Sequence, residues 1–124
     1  MRLWQIIVEA ARTSPVQAFG VFYDTPAHWP NLTPIASAPV CVQGLALRWL
    51  GKLDQNLLGS ELHTIMRETF PRLAATTAKC PVCEHEDVLL GSQGKLISHI
   101  NNTHRWTFGE IAEWLRPIED PIQP

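Results

Sequence analysis

Residues 80–104, CPVCEHEDVLLGSQGKLISHINNTH, gather two of the chain's three cysteines and three of its five histidines into one short stretch. Cys80-Pro-Val-Cys83 has the spacing with which two thiolates turn toward one ion from a tight knuckle, and His99 and His104 set two imidazoles about one helical turn apart. The order is C-x2-C-x15-H-x4-H. Two sulfurs and two nitrogens satisfy a tetrahedral zinc ion and leave no coordination position for water. The spacing therefore predicts one structural Zn2+ held by Cys80, Cys83, His99 and His104. The competing reading is a reduced, empty Cys-x-x-Cys beside two ordinary surface histidines. His85 lies between the pairs and is an off-register candidate to replace a ligand.

The residues between the ligands favour the zinc reading. Val88, Leu89 and Leu90 form a β-like apolar run, Leu96 stands three residues before His99 where a finger helix buries a leucine, and Ser92 is placed to cap that helix. The spacer exceeds the usual twelve residues of a ββα finger, and Asp87 stands where an aromatic residue is usual, so a modified hairpin is expected. Zinc stabilises finger peptides by about 10–16 kcal/mol at neutral pH. An ion can thus stand in for a hydrophobic interior that residues 78–104 are too few to build.

The remaining sequence reads as mainly helical. Apolar residues at 3, 4, 6, 7, 8, 10 and 11 predict a helix that stops before Pro15. Residues 16–23, VQAFGVFY, have strand composition. Residues 24–39 carry four prolines and read as a long surface loop, in which His28, Trp29 and Leu32 form a candidate contact surface. A second helix follows over VCVQGLALRWLG with Gly51 ending it, and a third over SELHTIMRETF with Ser60 as cap and Pro71 as breaker. Residues 73–79 read as a small-residue connector. Thr107 and Glu110 have capping-box spacing ahead of a fourth helix whose apolar stripe includes Phe108, Ile111, Trp114 and Leu115. That stripe is expected to pack on the body, with exposure of Trp106 and Trp114 to a partner as the alternative. The proline-rich end PIEDPIQP is expected to fray.

The expected fold class is α+β and mainly helical: a small helical N-terminal body over 1–77, then over 78–124 an appended C2H2-type zinc-binding ββα-like module and a C-terminal helix. With 124 residues there is room for one modest core and one appended module. No stretch has the uninterrupted apolar run of a membrane span, and Glu9 and Arg12 break up the start in a way a secretory signal does not tolerate. An odd cysteine count with a close pair argues against a disulfide scaffold and for a reducing cytoplasm.

Formal net charge is −2, so no global field favours a phosphate backbone. Residues 78–124 are the acidic part, with four Lys/Arg against seven Asp/Glu.

Six segments, EAAR, QAFGVFY, VCVQGLAL, FPRL, CPVC and LISHINNTHRWTFGEIAEWL, also follow one another in an order that resembles a group of short uncharacterised proteins of bacteriophages and bacterial genomes. The resemblance spans nearly the whole chain and is most specific at His99, Asn101, His104, Trp106, Ile111, Ala112 and Trp114. The chain departs from the group at Asn102, where aspartate is common, and between Tyr23 and Cys41, which looks like an insertion. The resemblance implies a viral or prophage setting, hence the cytoplasm of a bacterial host, and no reaction.

The functional expectation is a small zinc-stabilised accessory module that docks on a host or viral protein. The alternative is a nucleic-acid-binding zinc finger, in which Ser92, Gly94, Lys95 and Ser98 would face outward and Lys95 and Arg105 would meet phosphate. A metal-dependent enzyme is disfavoured by the closed ligand set. Cys41 with His28 or His63 is disfavoured as a nucleophilic pair because a lone cysteine in an apolar helix is ordinarily packed.

Overall fold

Leu3, Ile6, Ile7 and Ala10 recur at the helical period, and in the computed structural model they form the buried stripe of α1 (Leu3–Ala11). The structure describes residues 1–13, 17–18, 40–54 and 56–120. The second helix, α2 (Val42–Trp49), is buried from Val42 through Leu47. Gly51 ends it at φ 72°, a conformation that costs glycine little, while Lys52 N–H reaches back to the Leu47 carbonyl at 2.8 Å.

Next come α3 (Gly59–Thr69) and the short α4 (Pro71–Ala74). Pro71 does break the helix, and it opens the next one, because a first-turn position needs no N–H donor. Strands β1 (Thr77–Lys79) and β2 (Glu86–Val88) pair antiparallel, with Thr77 opposite Val88 and Lys79 opposite Glu86. Helices α5 (Lys95–Asn102) and α6 (Phe108–Glu119) complete the described chain. The class is mainly helical α+β, and none of these helices is long and apolar enough to cross a membrane.

Among the described residues most buried apolar side chains form one cluster that draws on Leu3, Ile7, Leu45, Leu62 and Leu73 from one side of residue 78 and on Leu89, Leu96, Ile100, Ile111 and Leu115 from the other. α1 and α6 are the most intimately packed pair. Their apolar stripes meet, as expected for the C-terminal helix. The far end of the pair is latched by polar groups: Glu119 accepts from the Leu3 and Trp4 amides at 2.9 and 2.7 Å, and Arg2 pairs with Asp120 at 2.7 Å. A carboxylate is thereby supplied to the positive end of α1 from a residue far along the chain. Burial pushes the Glu119 carboxyl above its ordinary value, while those two amides and Arg2 pull it back.

Several local expectations are corrected. Residues 117–120 do not fray, since α6 runs through Pro117 to Glu119 and Asp120 closes it. The stretch 73–79 is not a bare connector but holds the end of α4 and all of β1. The third helix begins at Gly59 with Leu58 as its N-cap residue, so Ser60 lies inside it, and Glu61 accepts from the Leu58 amide at 3.0 Å. In the stretch expected as a strand, Gln17 bridges Val40 in parallel and Ala18 N–H donates to the Val40 carbonyl. The rest of that stretch and the 24–39 loop lie outside the described residues.

Candidate metal centre

A hairpin and a helix bring the four donors together. Cys80 follows β1 directly, and its N–H donates to the His85 carbonyl at 2.6 Å, pinching residues 80–85 into a knuckle. Glu84 turns the knuckle with φ 61°, in the left-handed region that few side chains adopt. The Val82 N–H points at Cys80 Sγ, 3.4 Å away.

The imidazoles arrive from α5 and its exit. His99 sits on α5, which buries Leu96, Ile97 and Ile100. His104 lies beyond the helix, past Thr103, whose N–H still bonds the His99 carbonyl at 2.9 Å. Arg105 then reverses the chain with φ 54°. The two histidines are thus related by a helix and a turn, not by one continuous helix.

Cys80, Cys83, His99 and His104 each offer one donor atom, and these atoms lie within 4.8 Å of one another. Cys83 Sγ is 3.2 Å from His99 Nε2 and 3.4 Å from His104 Nε2, and the two Nε2 atoms are 3.1 Å apart. Tetrahedral bonds of about 2.0 Å to nitrogen and 2.3 Å to sulfur place donor atoms about 3.3–3.8 Å from each other. The observed separations approach those edges, so the four residues are positioned to bind a metal ion. Burial first, then repulsion from His104 and His85, holds the His99 imidazole below its ordinary value, which keeps its lone pair available. Cys80 is buried, Cys83 exposed, and the histidines half-buried, so the centre sits at the molecular rim.

His85 does not join the four. Its exposed ring stands 5.1 Å from that of His99, and its Nε2 is 3.6 Å from Asp87 Oδ2. Lys95 lays its stem over Gly91 at the start of α5, and Arg105 is exposed at the chain reversal. His28, Trp29 and Leu32 fall outside the described residues.

The helix beside the metal centre is turned differently from expectation. Ser92 does not cap it: the N-cap residue is Gly94, at φ 76°. Nor do Gly94 and Ser98 face outward. Gly94 is buried, and the side-chain amide of Gln43 on α2 donates to the Gly94 carbonyl at 3.2 Å and to Ser98 Oγ at 2.8 Å. A Cβ at position 94 would run into Ser98 and Gln43, so glycine permits this close approach as well as the positive φ.

Asn101, fully buried on α5, performs a role that its sequence position did not announce. Its Oδ1 accepts from the Gln17 side chain at 2.8 Å and from the Val42 amide at 3.1 Å, while its Nδ2 donates to the Ala18 carbonyl at 3.1 Å. One amide thus ties the metal-bearing helix to residues 17–18 and to the start of α2. The resemblance is specific at Asn101 without saying why, and the physical reason is that a polar side chain on a buried helix face must find partners or lose stability.

Cys41 is packed, as expected. Its sulfur accepts from the Gly44 amide at the start of α2, and burial pushes its thiol up to about 11, which leaves little thiolate near neutral pH.

Comparison with known protein families, curated proteins and solved structures finds no match to this chain.

Proposed function

We propose that the chain is a small zinc-stabilised protein-binding module of the C2H2 type, working in the phage or prophage setting that its sequence resemblance implies and docking on a host or viral protein. Zinc is favoured because two thiolates and two imidazoles form a borderline-soft tetrahedral set that suits it better than calcium, magnesium or manganese. Four protein donors complete that tetrahedron, so the ion braces the hairpin against α5 and has no open position at which to activate water.

The observation that carries the reading is the orientation of α5. A DNA-reading finger presents the face around its helix start to the major groove. Here Gly94 is buried and Ser98 is bonded to Gln43, so much of that face is turned into the body. Lys95 and Arg105 alone are a thin basis for phosphate contacts beside an acidic finger.

Elemental analysis of protein purified without added metal should find about one zinc per chain, the content a single four-ligand site requires. A partner protein held through interface contacts should stay bound as salt rises moderately. Retention on DNA or RNA that falls linearly on a log–log salt plot would replace this reading with the nucleic-acid one.

A further inference from the structure

Beyond the metal centre, α1 and α6 frame an open groove of about 620 Å³ lined by Val8, Trp106, Gly109, Glu110, Glu113 and Trp114. That volume falls within the span of about 300–1,000 Å³ typical of pockets that take small ligands or side chains. Both indoles are half-buried against the core, so each is fixed on one side and offers the rest of its surface to the groove. Trp106 is held twice through its backbone: its N–H donates to the Ile100 carbonyl at 3.3 Å, and its carbonyl accepts from the Gln17 side chain at 2.7 Å. Among the described residues no lysine or arginine lines the groove, and the two titratable ones that do are both carboxylic acids.

We infer that this groove receives an arginine side chain from a basic segment of the partner, with the guanidinium against the Trp106 and Trp114 indoles and paired with Glu113. This identification of the partner's chemistry rests on the protein-binding reading above. Charge complementarity selects the occupant. An acidic rim repels anionic segments, and a purely apolar side chain would desolvate two carboxylates without compensating them. A guanidinium suits both surfaces, because it stacks on aromatic faces and meets a carboxylate with two parallel N–H bonds. Glu113 is the better partner, since one Glu110 oxygen already accepts from the Thr107 amide at 2.9 Å. The same chemistry occurs inside the molecule, where the Arg116 guanidinium lies 5.0 Å above the Trp4 ring.

Titration of the metal-loaded, 15N-labelled full chain with the peptide Ac-Gly-Arg-Gly-Arg-Gly-amide tests this directly, because each indole N–H gives its own signal. The Trp106 and Trp114 signals should move saturably while those of Trp4 and Trp49 stay in place. Replacing both arginines by uncharged citrulline should weaken binding by about tenfold, the loss expected when a cation–π contact and a charged hydrogen bond go together. Glu113→Gln should weaken it similarly. Gly109→Arg supplies a second way to empty the groove, since a Cβ there meets nothing closer than 4.0 Å and its own cation would compete. Both variants should keep the bound metal and the thermal midpoint.

Three outcomes overturn the inference: no movement of the two groove indoles at millimolar peptide, equal binding of the citrulline peptide, or unchanged binding to both variants. If the groove variants retain a protein partner as well as wild type does, the groove assignment fails and the protein-binding reading stands. If the chain instead follows the nucleic-acid salt law, that reading fails as well.

Discussion

The hairpin and the α1–α6 pair are held together by opposite means. β1 and β2 have three residues each, and none of the six side chains is fully buried. α1 and α6 place Leu3, Ile6, Ile7, Ile111 and Leu115 at 0–2% exposure and close their far end with Glu119. A two-stranded hairpin of this size is not stable in water by itself. A metal ion gripped by Cys80, Cys83, His99 and His104 would order it, together with the face of α5 behind it. The comparison teaches that one small chain can close one side by removing apolar surface from water and, where an ion is bound, the other by chelation, with α5 belonging to both.

The largest expected effect is loss of the ion. Chelation, or Cys83→Ser, should release the metal and melt the hairpin, since zinc contributes about 10–16 kcal/mol in isolated finger peptides. Elemental analysis and a thermal melt check this together, and an unchanged melt in metal-free protein would break the comparison. Leu115→Ala acts on the opposite side. It should cost about 2–5 kcal/mol in a urea titration, as large-to-small changes in packed interiors do, while metal stoichiometry stays at wild-type level.

Asn101→Ala sharpens the comparison because it touches both sides. It strands the Val42 amide and the Ala18 carbonyl without partners, so a loss of about 1–3 kcal/mol for each unpaired group is expected in the same titration. The variant should also yield its metal to a competing chelator more readily than wild type does.

The smallest effect is pH-dependent and belongs to the helical side. His63 on α3 is held below its ordinary value, by burial first and by Arg67 second. The unfolded chain therefore binds that proton more readily than the folded one, so stability is lost as pH falls below the unfolded value of about 6.5. Unfolding midpoints of wild type and His63→Gln should converge with this sign between pH 7.5 and 5.5, with wild type losing more.

Much of this was legible in the sequence, for reasons that differ by element. The metal residues stood out because coordination chemistry restricts both residue type and spacing, and α1 and α6 stood out because their apolar residues recur at the helical period. Thr107 and Glu110 announced the start of α6 by the reciprocal bonds they do make, Thr107 N–H to Glu110 Oε1 and Glu110 N–H to Thr107 Oγ1.

β1 was hidden because Thr-Ala-Lys has little strand character of its own; it is ordered by its pairing with β2 and by the knuckle that follows. Glu119 was hidden in a proline-rich end because its partners are the amides of Leu3 and Trp4, and no local pattern encodes so distant a contact. The face of α5 around Gly94 and Ser98 is not legible in the sequence, because small residues suit solvent and close packing equally. Only the position of Gln43 decides between them.

The bonds of Asn101 carry a consequence for how the molecule comes apart. A side chain that joins α5 to residues 17–18 and to the start of α2 leaves no seam along which the Cys–His corner could open while the helices beside it stay intact. Heating the metal-loaded protein should accordingly give one heat-absorption peak, with calorimetric and van't Hoff enthalpies in agreement.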